Sequence, residues 1–241
     1  MVDAFFDCFS GICGDMILGA LIDLGVNKDF FIKEIKKLKL EGYEIYFKKI
    51  RFDNITATDV NILVYEQKHH RNLDDINKII DDSTLDSQVK KLSKKIFYRL
   101  AVAESKVHKT SIENIHFHEV GAVDSIIDIV GASIGLKILK ISKVFCSNLP
   151  LGTGFVRCDH GILSVPVPAT VELLKGIPTY QTKRKQEMVT PTGAAIITTI
   201  AEKFDDMPEM NIKKIGYGSG KTKSKDYQNV LKIVVGDIID I

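Results

Sequence analysis

The run His116-Phe117-His118-Glu119-Val120-Gly121-Ala122-Val123-Asp124-Ser125-Ile126-Ile127-Asp128 gathers two imidazoles and three carboxylates around one glycine. Helix-forming residues follow Gly121, so the stretch reads as an extended segment that turns into a helix. In extended backbone His116 and His118 project to one side. In a helix Asp124 and Asp128, four positions apart, share a face. If that face turns back toward the histidines, four N and O donors converge, a set suited to Zn, Ni, Mn or Fe better than to Ca. The same residues also fit a plainer arrangement, a polar loop followed by the wet side of an amphipathic helix. Either way the chain must combine extended segments with helices, and the expected class is mixed α/β, a sheet flanked by helices with long functional loops containing Gly and Pro.

At 241 residues the chain is long enough to bury a real core, and no linker divides it, so residues 1–241 are treated as one domain. A net charge of +2 is too small to select nucleic acid or a membrane surface. Lys221, Lys223 and Lys225 form a dense basic run. No apolar run has the length of a bilayer span and no leader pattern opens the chain, so a cytoplasmic protein with neither nucleic-acid nor membrane partner is expected. Cys8, Cys13, Cys146 and Cys158 include no CxxC pair, and reduced thiols follow.

Residues 4–6 read as a buried strand broken at Asp7, followed by Ser10-Gly11-Ile12-Cys13-Gly14-Asp15 and a helix that Gly25 ends. Such a strand, glycine loop and helix N-terminus presents N–H groups to an anion. Asp15 is expected to cap the helix, and Asp7 is the better functional candidate. A helix over 28–38 precedes two strands that pair across Asp53-Asn54. His69-His70 reads as solvated surface. Residues 73–109 carry one helical pattern, with an apolar stripe through Val89, Leu92, Ile96, Leu100, Ala103 and Val107. The helix over 126–139 is apolar on most sides and expected to be buried. Residues 148–168 hold so many Gly and Pro that turns rather than a ladder should shape them, with His160 beside Asp159 as a ligand or base. Thr190 is placed as N-cap and Pro191 as first helical residue, a second anion seat with the hydroxyls of Thr190 and Thr192 before Gly193. Gly216-Tyr217-Gly218-Ser219-Gly220-Lys221-Thr222 fails as a phosphate loop because only three residues separate Gly216 from Gly220 and a strand follows. It reads as a turn before a closing strand over 229–235.

Taken together, Asp7-Cys8-Phe9-Ser10-Gly11-Ile12-Cys13-Gly14-Asp15-Met16, residues 117–131, Pro150-Leu151-Gly152-Thr153-Gly154 with His160-Gly161, and Val189-Thr190-Pro191-Thr192-Gly193-Ala194-Ala195 resemble, in order, the N-terminal portion of the LarC family. The resemblance implies a lyase-class chelatase that inserts nickel between two thiocarboxylates and a ring carbon of a pyridinium mononucleotide. It further implies CTP used with Mg or Mn through a C-terminal domain absent from this chain, a lactate racemase-like recipient, and a homo-oligomer. Cys13 replaces the usual serine and is expected to pack, and the family's histidine-rich insertion is reduced to His69 and His70.

On that resemblance His116, His118 and Glu119 would hold nickel, and Asp7, Asp124 and His160 would serve catalysis. Ser10, Gly11, Gly14, Thr190, Thr192 and Gly193 would seat the anionic substrate. A divalent-metal phosphohydrolase using the same cluster and a non-catalytic nickel carrier are the other readings of these residues.

Overall fold

The computed structural model describes residues 1–65, 71–117, 121–158, 161–222 and 228–239. It opens with β1 (Val2–Asp7), α1 (Gly14–Asp23), α2 (Lys28–Lys36) and the hairpin of β2 (Tyr43–Phe52) and β3 (Ile55–Val64). β4 (Arg71–Asn72), α3 (Leu73–Asp81), α4 (Ser87–His108) and β5 (His116–Phe117) lead into α5 (Val123–Ile138) and β6 (Ile141–Cys146). β7 (Leu149–Leu151), the hairpin of β8 (Phe155–Cys158) and β9 (Gly161–Ser164), and α6 (Pro168–Leu173) follow. β10 (Thr179–Gln181), α7 (Pro191–Ile200), β11 (Lys203–Phe204), β12 (Met210–Ser219) and β13 (Val230–Ile238) complete it. The class is mixed α/β, as the alternation of periods requires.

Seven strands form one sheet in the order β11-β6-β1-β13-β12-β3-β2. β1 runs parallel to β6 and antiparallel to β13, so the first strand lies inside the sheet, between strands from much later in the chain. α1 packs on β12, β3 and β13, α5 lies against α1, and α4 packs behind α5 and α7. Phe6, Ile17, Leu21, Phe97, Ile126, Ile129 and Ile196 fill the interior. α5 is buried on nearly every side, which is what its unbroken apolar composition dictates.

α1 touches the sheet at backbone distance. A β-carbon at Gly218 would lie 1.8 Å from the Met16 carbonyl oxygen, and one at Gly216 would lie 2.4 Å from that of Ala20. These two glycines, expected in a turn, belong instead to β12, where they give α1 its seat. The far end of α1 is fastened by Asp23, whose carboxylate accepts from Thr58 Oγ1 (3.0 Å) and the Tyr217 N–H (2.9 Å) and pairs with Lys49.

Two further expectations are corrected. The pattern over 73–109 is two helices, because local caps between them compete with helix continuation. Ser83 Oγ donates to the Ile80 carbonyl (2.6 Å) and Asp86 caps α4 by accepting from the Gln88 N–H (2.9 Å). Residues 148–168 do contain a short ladder, the β8–β9 hairpin, whose exposed strands need no continuous apolar pattern.

Candidate functional site

The two strand-to-helix turns that the sequence marks separately are stitched side by side. Ile12 and Val189 form a parallel bridge, in which the Ile12 N–H donates to the Met188 carbonyl (2.8 Å) and the Thr190 N–H to the Ile12 carbonyl (3.2 Å). The approach is close enough to demand glycine. Gly11 has φ +103° and a β-carbon there would sit 2.0 Å from the Met188 oxygen, while one at Gly193 would sit 2.3 Å from the Ile12 oxygen. Thr190 Oγ1 caps α7 by accepting from the Gly193 N–H (3.1 Å), with Pro191 in the first helical position, as its sequence requires. α1 differs: Cys13 is its N-cap residue, with no side-chain cap bond, and Asp15 lies in the first turn. The expectation that Asp15 caps α1 is therefore corrected, because its carboxylate folds onto its neighbours instead.

Both N-terminal turns open on one cleft of about 480 Å³. Cys13, Gly14, Asp15 and Met16 line it from α1, Thr190, Pro191 and Thr192 from α7, and Asp128 from α5. Phe155 and Val156 of β8, Glu187, Met188, Lys221 and Asn229 complete its wall. Cys13 Sγ donates to Asp15 Oδ1 (2.6 Å), which also accepts from the Met16 N–H (2.8 Å). Asp15 Oδ2 lies 3.9 Å from Lys221 Nζ. Burial, then the charge and hydrogen bond of Asp15, push the Cys13 thiol well up the pH scale and keep it neutral. Cys13 packs against the core, as expected, and in addition donates its thiol to Asp15 at the cleft.

Asp128 lies on the same side of α5 as Asp124, and its carboxyl group fills the space that a β-carbon at Gly14 would occupy, 2.1 Å from Oδ2. Its Oδ1 is buried without a hydrogen-bond partner. Burial first, and then the charges of Asp15 and Asp124, raise its pKa well above the ordinary carboxylate range, against a smaller opposing pull from Lys221.

The other expected site residues fall into distinct places. Gly14, Thr190 and Thr192 line the cleft, and Gly11 and Gly193 hold its two turns together. Ser10 is buried behind them, donating to the Gln228 carbonyl (2.7 Å) and accepting from Arg184 Nη1 (3.1 Å). Asp7 pairs with Lys232 at 2.6 Å across β1 and β13 and does not line the cleft. Asp124 accepts from the Ser125 N–H (2.8 Å) in the first turn of α5. His118, Glu119 and His160 lie outside the described residues, as do His69, His70, Lys223 and Lys225. The backbone at His116 pairs with Asn72 in the β4–β5 ribbon, and its side chain is not among those described. Among the described residues no group of three His, Cys, Asp or Glu is placed to hold a metal. Sequence reasoning passed over Asp128 as a catalytic choice, although a carboxylate inside the apolar run of α5 was its signal. Glu187 carried no comparable signal, and Lys221 stood out only as part of a basic run and a failed phosphate-loop pattern, because only tertiary folding brings them to the cleft.

A family model described as nickel insertion protein matches residues 4–240. A relative from Acetivibrio thermocellus, named pyridinium-3,5-bisthiocarboxylic acid mononucleotide nickel insertion protein, is 49% identical over 244 residues, covering 97% of this chain and 60% of its own. Relatives of the same name from Desulfitobacterium hafniense and Staphylococcus epidermidis are 47% and 46% identical, covering 100% and 95% of this chain and 60% and 58% of theirs. The chain spans about three fifths of the length of these curated relatives. No solved structure matches it.

Proposed function

Because the chain belongs to the nickel insertion protein family, we propose that its cleft receives a pyridinium-3,5-bisthiocarboxylic acid mononucleotide and takes part in placing nickel in it. The observation that carries this reading is the convergence of the α1 and α7 N-terminal turns on one cleft. Helix N-termini favour anions, and the substrate carries a phosphate and two thiocarboxylates. A volume of about 480 Å³ suits a mononucleotide. Thr192 and Gly14, at the openings of the two helices, are the seats assigned to those groups, with Gly11, Ser10, Thr190 and Gly193 shaping the walls.

The thiocarboxylates at ring positions 3 and 5 flank position 4, so nickel held by both sulfurs lies beside the ring C4–H. Nickel is cargo here. His116, His118 and Glu119, in the connection that leads into α5, would hold it before transfer to sulfur, since nickel accepts imidazole and carboxylate donors as readily as it accepts thiolates. His160, which lies between β8 and β9 in sequence, and Asp124 would assist proton movement, and Asp7 would act through Lys232. CTP with Mg or Mn, acting through the C-terminal part of the longer relatives, would drive the lyase-class reaction, and a lactate racemase-like enzyme would receive the product.

The test supplies the metal-free mononucleotide, Ni(II), CTP and Mg²⁺ to this chain, alone and with the C-terminal part of the Acetivibrio relative, and follows product by absorbance and mass. Insertion that requires this chain is expected. Nickel binding without any insertion in either mixture overturns the reading in favour of a carrier.

A further inference from the structure

Asp128 sits where stability alone would not put a carboxyl group. The helix around it is apolar, with Ile126, Ile127, Ile129 and Val130 fully buried, yet position 128 faces the cleft with an oxygen that nothing among the described residues satisfies. A buried polar atom without a partner is destabilising, and an apolar side chain of similar size would relieve it. Gly14 is the further concession, since any side chain at that position would collide with the Asp128 carboxyl. Two adjacent breaches of packing economy at one cleft are what a reacting group requires.

The other acids nearby are differently employed. Asp15 receives Cys13 Sγ and the Met16 N–H, and Asp124 receives the Ser125 N–H. Among the described residues the titratable and charged groups about Asp128 are Cys13 at the α1 N-cap, Asp15 of α1, Asp124 of its own helix and Lys221 of the β12–β13 connection, with Glu187 on the same cleft.

Resting on the function proposed above, we infer that Asp128 is the catalytic base that accepts the ring proton when nickel bonds to carbon. The C4–H bond breaks heterolytically, its electron pair becomes the carbon–nickel bond, and the proton passes to the Asp128 carboxylate. Nickel remains Ni(II), so no oxidant or reductant enters. Burial and the neighbouring acids favour the neutral form of this carboxyl, and a divalent cation arriving nearby favours the charged one. The base is thereby generated only when the cleft is loaded.

The experiment compares wild type with Asp128→Asn and Asp128→Glu in the insertion mixture containing the C-terminal part, using substrate with hydrogen or deuterium at C4. Nickel and substrate affinities are read separately by calorimetry. A lost general base costs about 10²-fold or more in insertion rate. Asp128→Asn is expected to lose that much while both affinities stay within about twofold, Asp128→Glu to recover part of the rate, and wild type to show a primary deuterium effect. An Asn variant inserting within about threefold of wild type overturns the inference. If Asp128→Asn does not fold, the wild-type pH–rate profile decides. A single rising ionisation, coupled to the deuterium effect, supports the base, and a flat profile overturns it. Wild type that inserts no nickel sinks the function itself, an outcome distinct from a failure confined to position 128.

Discussion

Asp128 also leaves a mark on folding that is independent of any ligand. Its carboxyl ionises at higher pH in the folded chain than in the unfolded one, so over the interval between those two values the native state binds more protons. Stability then falls as pH rises through that window, by about 1.4 kcal/mol per unit, and is unaffected by this group below the ordinary carboxylate range. Asp128→Asn is expected to abolish that segment of the pH dependence and to be more stable than wild type above it, as measured by urea unfolding at a series of pH values. Parallel curves for the two proteins would show that burial of this carboxyl carries no thermodynamic weight. Cys13 illustrates the opposite difficulty of reading a residue from sequence. A small thiol between Ile12 and Gly14 suggests packing, and only the fold of Asp15 back over it reveals the hydrogen bond that occupies it.

Elements whose boundaries are written in local chemistry were legible. Thr190 and Pro191 announce α7, Asp53 and Asn54 announce the β2–β3 hairpin, and the structure has both. Thr190→Ala is expected to cost about 1 kcal/mol in unfolding free energy through the lost cap, and Thr190→Ser to keep most of it. Equal stability of the two variants would mean that the bridge to Ile12, rather than the hydroxyl, holds the turn. Elements decided by tertiary contact were not legible. Gly216 and Gly218 look like turn residues until α1 is laid across them. The cleft was half legible for the same reason: its two turns carry glycine and threonine signatures, whereas Glu187, Lys221 and Asn229 reach it from loops whose composition says nothing about where they go.

At the scale of the molecule, the core and the cleft share one support, since the first turn of α1 lines the cleft and its remainder lies on β12. Gly218→Val drives a side chain into the Met16 carbonyl and should cost about 3 kcal/mol or more, lowering the urea midpoint and weakening binding of the mononucleotide proposed as substrate together. A lowered midpoint with intact affinity would separate the two. The same support has a meaning for the chain as it is made. β1 precedes β6 and β13 in the chain but lies between them in the sheet, and Phe6, fully enclosed in the finished sheet, stays uncovered until those strands arrive. Cys13 and Asp15 are synthesised early, Asp128 midway and Asn229 late, so the cleft has no partly built form. A chain that stops short of Asn229 presents no finished pocket.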